Sequence, residues 1–277
     1  MTGLYAIGST CLSQSGQGYA SSYDAFGNVT SRSAGGATGA LSYDLLDHLT
    51  KWYVSATNQE QYVYDAAGNR ILRRSTTSSA TTMTVYAFGL EEHTYSGAGV
   101  NQGNTYYYSL AGRLIGAKDA NGTVFYMTDT LGSILASFTN TAGGAALKGN
   151  QVFGAYGNAR YSKGTINTAK GFTGQYNDSL TGLDYYNALY YDPVAGVFLA
   201  ADTAQGNAQG MNPYAYVGGN PETYSDPSGN RPVPACYSIG CGNASPTTPP
   251  TNTCTLQDCT VVVSNKTYFI TDLANLT

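Results

Sequence analysis

Six tyrosines recur along the chain at intervals of 19 to 22 residues, and this period constrains the fold more than any other feature. They are Tyr23, Tyr43, Tyr64, Tyr86, Tyr107 and Tyr126. A fixed period of this length indicates an array of similar small units, each packed against its neighbours. The repeated unit is therefore the starting point for the fold.

Three of the units share a sequence in which Tyr-Asp is followed by a turn. Residues 22–29 read Ser-Tyr-Asp-Ala-Phe-Gly-Asn-Val, residues 63–70 read Val-Tyr-Asp-Ala-Ala-Gly-Asn-Arg, and residues 42–49 are a related copy. Tyrosine favours strands, the Asp carboxylate can bond the backbone two residues on, and Gly-Asn tolerates positive φ. Each unit therefore predicts a strand, a tight turn and a returning strand. Because a lone hairpin is marginal in water, the hairpins must pair into a long sheet.

The composition is typical of a β-rich extracellular protein. Of 277 residues, 25 are Tyr and 34 are Gly, while only 11% are charged, a profile of many turns and an uncharged polar surface. The net charge of −4 leaves no basic surface for nucleic acid, and no apolar run approaches the roughly 20 residues that cross a bilayer. Helix should be scarce, limited to single turns within 181–188 and 207–211.

Shifts in composition divide the chain into five regions. They are a Ser/Gly/Gln-rich lead-in (1–21), the repeats (22–162), a dense aromatic block (163–229), a Pro/Thr-rich linker (230–253) and a tail (254–277). The tail predicts two strands, at 260–263 and 267–270. Because the start of the chain lacks a basic segment and an apolar stretch, we expect no signal peptide. The chain is then either a piece of a longer polypeptide, which we favour, or it leaves the cell by another route.

Four of the five cysteines, Cys236, Cys241, Cys254 and Cys259, lie in the linker and tail, and Cys11 is the fifth. Their spacing is wider than in zinc knuckles. Disulfides, free thiols and a metal site all stay open. The two histidines, His48 and His93, have no neighbouring Ser or Cys pattern, which predicts surface or packing roles.

The aromatic block carries a resemblance to a known family. Residues 171–175 read Gly-Phe-Thr-Gly-Gln, residues 181–193 read Thr-Gly-Leu-Asp-Tyr-Tyr-Asn-Ala-Leu-Tyr-Tyr-Asp-Pro, and residues 226–229 read Asp-Pro-Ser-Gly. Together with the upstream Tyr-Asp units, these motifs closely resemble the RHS repeat-associated core domain and its YD repeats, in order over roughly residues 22–229. The resemblance implies an all-β fold in which YD-repeat hairpins form a spiralling sheet, part of a β-shell, closed by the core block as a plug.

Packing within the block follows from its aromatic content. We expect most of its aromatic side chains to pack together against the inner end of the sheet, because so many rings so close together cannot all be solvated. They are Phe172, Tyr185, Tyr186, Tyr190, Tyr191, Phe198, Tyr214 and Tyr216.

For function, the resemblance implies a structural shell of a secreted or cell-surface bacterial protein. In that family the shell typically encloses a variable C-terminal polypeptide, often a toxin, so the partner is the chain's own C-terminal segment, and no cofactor or metal is implied. The residues leave another function open, in which exposed tyrosine rings stack on glycans and mediate adhesion to a neighbouring cell.

A third function is self-cleavage by two aspartates, which requires both carboxyl groups to face one water. The resemblance assigns Asp202 and Asp226, with cleavage just after the final Asp-Pro-Ser-Gly motif. The chain departs from the family pattern at Leu189 and Val197, which replace arginines, and at Asn230, which replaces Leu. We expect the loss of both cations to leave the carboxylates unoriented and the aspartates to act as turn formers.

Overall fold

The computed structural model describes residues 19–34, 37–87, 89–110, 112–202, 212–234, 260–263 and 266–269. Fourteen antiparallel strands form one long sheet whose spatial order is the sequence order. The strands are β1 (Ala20–Tyr23), β2 (Val29–Ala34), β3 (Ala37–Tyr43), β4 (Leu49–Ser55), β5 (Asn58–Tyr64), β6 (Arg70–Thr76), β7 (Thr81–Ala87), β8 (Glu91–Ser96), β9 (Asn101–Leu110), β10 (Arg113–Asp119), β11 (Gly122–Thr128), β12 (Ile134–Thr141), β13 (Gly144–Phe153) and β14 (Ala159–Gly164). Strand accounts for 58% of the structure, against the 20–25% usual in globular proteins, which confirms the all-β prediction.

The periodic tyrosines occupy equivalent places in this sheet, as the repeat predicts. All six lie on odd-numbered strands, from Tyr23 on β1 to Tyr126 on β11. Their rings pack in or against buried clusters on one face of the sheet. The hydroxyl of Tyr43 donates to the carbonyl of Val29 at 3.0 Å, and that of Tyr64 donates to the carbonyl of Leu49 at 2.6 Å. Each of these two hydroxyls thereby ties its hairpin to the one before.

The Tyr-Asp turns form by the predicted hydrogen bonds. In Asp24, Asp44 and Asp65, Oδ1 accepts the backbone N–H groups two and four residues on, at 2.9–3.0 Å. Asp129 makes the same pair of bonds, at 2.9 and 2.8 Å. The Tyr-Asp pattern does not reveal this copy of the turn, because Thr128 stands where the repeat has Tyr.

A crossing segment, residues 165–171, leads from β14 back over the face that carries the tyrosines. Ser137 Oγ donates to the carbonyl of Thr165 at 2.8 Å, and the hydroxyl of Tyr126 donates to the carbonyl of Asn167 at 3.1 Å. The buried cluster under this segment includes Tyr107 and Ile134. Through the crossing segment, the backbone passes from the edge of the long sheet to its middle.

The core block then forms a small four-stranded sheet of its own. Its strands are β15 (Tyr176–Asp178), β16 (Leu183–Tyr186), β17 (Leu189–Asp192) and β18 (Val197–Phe198), paired in that order. Two short 3₁₀ turns, Phe172–Gly174 and Val217–Gly219, flank it. The expected helical turn within 181–188 is wrong. The stretch is a strand because its consecutive side chains are buried on alternate faces of the small sheet.

The two faces of the small sheet pack against different partners. One face meets the long sheet through Tyr176, Leu183, Tyr185 and Tyr190, next to Leu41, Leu49, Trp52 and Tyr62. The other forms a cluster of Phe172, Tyr186, Leu189, Tyr191, Phe198 and Tyr216. Seven of the eight core-block aromatics are buried, and the eighth, half-buried Tyr214, lies edge-on to Tyr23 with ring centres 5.7 Å apart. The predicted packing of the block against the sheet is confirmed.

Two short pairs of strands complete the described structure. β19 (Tyr224–Ser225) pairs with β20 (Val233–Pro234), and β21 (Thr260–Val263) pairs with β22 (Lys266–Phe269). The latter pair lies where the tail predicted two strands. The possible turn at 207–211 and all five cysteines lie outside the described residues.

Candidate functional site

The core block sits on the Tyr-Asp turns of the long sheet. The hydroxyl of Tyr214 donates to the carbonyl of Gly27 at 2.7 Å, and the hydroxyl of Tyr185 donates to that of Gly68 at 3.4 Å. At Gly157, whose φ is +86°, a Cβ would lie 2.5 Å from the ring of Phe172. Glycine is therefore required there both for the turn and for the approach of the core block.

A buried arginine of the long sheet reaches into the core block. The Nε and Nη2 atoms of Arg32 on β2 donate to both carboxylate oxygens of Asp192, the latter at 2.8 Å, and Nη1 donates to the carbonyl of Thr181 at 2.9 Å. Such two-pronged pairing fixes orientation as well as distance. The long sheet thus supplies an orienting cation to Asp192, whereas the expectation for Asp202 and Asp226 stays a prediction.

A second buried network joins β6 to β15. Arg70 Nη1 donates to Asp178 Oδ2 and, at 3.0 Å, to the hydroxyl of Tyr190. Arg73 Nη1 donates to the other oxygen of Asp178 at 2.9 Å. The Arg70 guanidinium also stands 4.3 Å from the ring centre of Tyr185, a favourable placement for a cation enclosed by aromatic rings.

Glu60 on β5 adds a carboxyl group to this network. Its Oε2 accepts from the hydroxyl of Tyr62 at 2.7 Å, and its Oε1 lies 3.8 Å from Arg73 Nη1. Burial, together with the nearby charge of Asp178, raises the pKa of Glu60 to about 7. The junction between sheet and core thus depends on charged groups that are almost fully desolvated, whose separation is costly.

The sequence contained a partial signal for these arginines. Charged residues are rare in this chain, yet Arg32 and Arg70 lie in strands that return from Tyr-Asp turns. Their partners, Asp192 and Asp178, lie more than 100 positions away in the chain. Only the tertiary fold identifies such pairs.

Asp226, the second of the sequence-predicted site residues, follows β19 and organises the turn after it. Its Oδ1 accepts the backbone N–H groups of Gly229 at 2.9 Å, Arg231 at 3.0 Å and Ser228 at 3.3 Å, and the Ser228 hydroxyl at 3.2 Å. Its Oδ2 is buried without a hydrogen-bond partner. Burial raises the pKa of Asp226, and the backbone donors oppose the rise. This carboxyl group can hold a proton on Oδ2, as the acid of an aspartate pair must.

Asp202, the other predicted site residue, lies in the segment after β18. Its side chain is buried, and its backbone N–H donates to the carbonyl of Pro213 at 3.0 Å. The use of Asp202 and Asp226 as a catalytic pair stays a prediction.

In the part of the chain that the structure describes, no group of three or more His, Cys, Asp or Glu side chains is arranged to hold a metal ion. None of the helical segments in that part has the length and apolar character that a membrane span requires.

This chain is similar in sequence to a known protein family and to several characterised proteins. The family described as "Teneurin YD-shell" matches residues 11–221. The chain is 30% identical over 202 residues to "Toxin subunit YenC1" of Yersinia entomophaga, which covers 64% of this chain and 20% of that protein. It is 28% identical over 221 residues to "tRNA3(Ser)-specific nuclease WapA" of Bacillus spizizenii, covering 76% of this chain and 9% of that protein.

A solved structure shares the fold. The crystal structure of TcdB2-TccC3 superposes with a TM-score of 0.59 at 18% identity, covering 76% of this chain and 13% of the other. The chain thus spans a fifth or less of the length of these proteins.

Proposed function

The chain belongs to the teneurin YD-shell family, and we propose that it is the part of a β-shell that closes over a C-terminal polypeptide and holds it. The observation that carries the proposal is the double attachment of the core block, by buried arginine–aspartate pairs and by aromatic side chains seated on the turns. A block fixed at so many points acts as a plug, because it cannot move without exposing unpaired charges.

The proposed cargo is the segment that follows the turn of Asp226. One relative is named as a toxin subunit and another as a tRNA nuclease, yet both share this region. A region shared by proteins of different named activity fits a carrier whose cargo varies. Export from a bacterial cell follows as part of the same proposal, since a toxin carrier acts outside the cell that makes it.

Limited proteolysis tests enclosure directly. The folded protein is treated with a protease of low specificity, and the fragments are identified by mass spectrometry. We expect residues 19–234 to resist as one body, and the segment after 234 to resist with it. In Phe198→Ala, which loosens the plug, the segment should be digested first. Immediate loss of the segment from an intact wild-type body would contradict the proposal.

Self-cleavage is a second candidate, and the buried, unpaired Oδ2 of Asp226 favours it. In this hypothesis Asp226 would be the protonated carboxyl and Asp202 the base that activates a water. The bond attacked would lie next to Asn230, whose backbone N–H donates to Ser228 Oγ at 3.3 Å. The mass of freshly purified chain distinguishes this candidate from a carrier that stays intact.

A further inference from the structure

The second Tyr-Asp turn, residues 44–48, departs from the repeat. At the fourth position the turns on either side carry Gly27 and Gly68, with φ of +91° and +83°, but this turn carries Asp47 with φ of +62°. At the fifth position His48 replaces the Asn of its neighbours. A non-glycine residue held in the left-handed region is strained, and such strain concentrates at functional sites.

A cleft opens beside this turn. Tyr214 and Tyr185 of the core block reach the carbonyls of Gly27 and Gly68 in the flanking turns. Between turns 44–48 and 65–69 on one side, and core segments 187–189 and 228–230 on the other, the cleft has a volume of about 380 Å³, which suits a small ligand or a side chain. Asn187 on the far wall also has a left-handed backbone, with φ of +60°.

Two asparagines of the cleft present oxygen atoms. The Nδ2 of Asn69 donates to Asp65 Oδ2 at 3.0 Å, and the Nδ2 of Asn187 donates to the carbonyl of Pro227 at 2.8 Å. Because these bonds hold the amide nitrogens, the Oδ1 atoms are left to accept.

Charge in the cleft is negative. Asp47 supplies a carboxylate whose Oδ1 takes one bond, from Asn28 Nδ2 at 2.7 Å. Of the described residues that line the cleft, none is Lys or Arg. The arrangement selects a ligand that donates several hydrogen bonds and carries positive charge.

His48 contributes a further acceptor. Its Nδ1 lies 3.1 Å from Asp44 Oδ2, and its ring stacks on Tyr64 with centres 4.8 Å apart. If Nδ1 carries the proton towards Asp44, Nε2 is left as an acceptor. Alanines and Leu189 form apolar parts of the wall, against which a methylene stem can lie.

We propose that this cleft binds the guanidinium or ammonium group of a basic peptide side chain. The cation would face Asp47, with the Oδ1 atoms of Asn69 and Asn187 accepting its hydrogen bonds and the stem lying on the apolar wall. The site does not depend on enclosure of a cargo, so it stands or falls independently of the carrier function.

Calorimetric titration with Nα-acetyl-L-arginine amide tests the proposal, with Nα-acetyl-L-glutamine amide and CaCl₂ as comparison probes. We expect saturable binding of the arginine probe with a Kd on the order of 1 mM and at least ~10-fold weaker binding of the glutamine probe. Absence of saturable arginine binding, or tighter binding of calcium than of arginine, overturns the proposal.

Variants separate a binding role for turn 44–48 from a structural one. Asp47→Asn keeps a side chain that tolerates positive φ and should weaken binding by at least ~10-fold. The double variant Asp47→Gly, His48→Asn restores the repeat, and should lose binding while its melting temperature stays equal or rises. Asp119→Asn, in a turn at the other end of the hairpins, is the matched control and should bind normally. Unchanged binding in Asp47→Asn overturns the proposal.

The source of the basic side chain is a separate question. After Asn230 the chain has two basic residues, Arg231 and Lys266. If one of them occupies the cleft, replacing both with Gln removes a competitor and tightens binding of the arginine probe. If the affinity is unchanged, the natural ligand is a side chain of another polypeptide.

Discussion

The hairpins of the long sheet have two ends, and the described residues of the core block contact the turns at one of these ends. At the docked end, core residues meet the backbone of Gly27, Gly68 and Gly157 within contact distance. At the open end, Gly99 and Gly122 also have positive φ, but a Cβ on either would meet nothing within 4 Å. The Tyr-Asp-x-x-Gly sequence lies at the docked end, so the repeat encodes a docking surface as well as a turn.

The two faces of the sheet differ in the same way. The face under the core block carries buried ion pairs and aromatic rings, whereas the other face exposes apolar side chains, among them Phe125 and Tyr108. Aromatic side chains are therefore buried under the core block on one face of the sheet and exposed to solvent on the other. Matched substitutions on the two faces and at the two ends test how much stability each contributes.

Phe198→Ala should give one of the two largest losses of stability. Phe198 is fully buried among Tyr186, Tyr191 and Tyr216, so truncation leaves a cavity and costs ~3–5 kcal/mol in the free energy of unfolding. Phe125→Ala, on the exposed face, is the control and should cost less than ~1 kcal/mol. Urea titration measures both, and similar values for the two would show that the block is not a plug.

Arg70→Met tests the charged part of the junction. It leaves Asp178 buried beside Arg73 alone, and we expect a loss of ~3–5 kcal/mol. Arg74→Met lies in the same strand, with an exposed bond to Gln61 Oε1 at 3.2 Å, and should change stability by less than ~0.5 kcal/mol. If both variants unfold at the same urea concentration, the buried Arg70 contributes no more to stability than the exposed Arg74.

The buried carboxyls predict how stability depends on pH. Burial raises the pKa of Glu60 to about 7 and that of Asp184 to about 8. A carboxyl with a raised folded-state pKa contributes stability that is fully present below its unfolded value and lost as pH rises through the folded one. Stability should therefore fall by ~1–3 kcal/mol between pH 5 and 8. Glu60→Gln should flatten the lower part of that slope, and an unchanged slope would contradict the role of Glu60.

Alanine substitutions compare the two ends of the hairpins directly. Gly157 and Gly99 have φ of +86° and +81°, so alanine strains both backbones by about 1–2 kcal/mol. Only Gly157→Ala also drives a Cβ into Phe172, which should add ~1–3 kcal/mol. Thermal unfolding of the two variants measures the difference in stability. Equal melting temperatures would mean that the core block moves to accommodate the added Cβ without losing stability.

The local features of the fold were predictable from the sequence, and the long-range ones were not. The turn of Asp24 and the strand of Tyr23 follow from neighbouring residues, whose hydrogen bonds span at most four positions. The pair of Arg32 and Asp192 spans 160 positions, and no periodicity encodes it. The strand within 181–188 was missed because a run buried on both faces lacks the alternation that marks a half-buried strand.

In the candidate site, too, the local features were predictable from the sequence and the long-range ones were not. The family motif located Asp226, and the turn that it forms follows from Asp-Pro-Ser-Gly itself. Its unpaired Oδ2 was not predictable, because that depends on what the fold places around it. The cleft beside Asp47 was missed although a signal existed, since this turn alone among the three quoted Tyr-Asp copies lacks Gly-Asn.

Cleavage is the smallest effect that we predict, because we expect none. Oδ1 of Asp226 already accepts four hydrogen bonds from its own turn, which is the arrangement of a turn-forming aspartate. Arg32 supplies a cation to Asp192, but the chain has Leu189 and Val197 where the family pattern has arginines. The intact mass of freshly purified chain should therefore include residues 229–231 unbroken, in the wild type and in Asp226→Asn alike. An abundant fragment that ends at Asn230 and disappears in Asp226→Asn would show that the aspartate pair is active and that docking of the core block suffices to orient it.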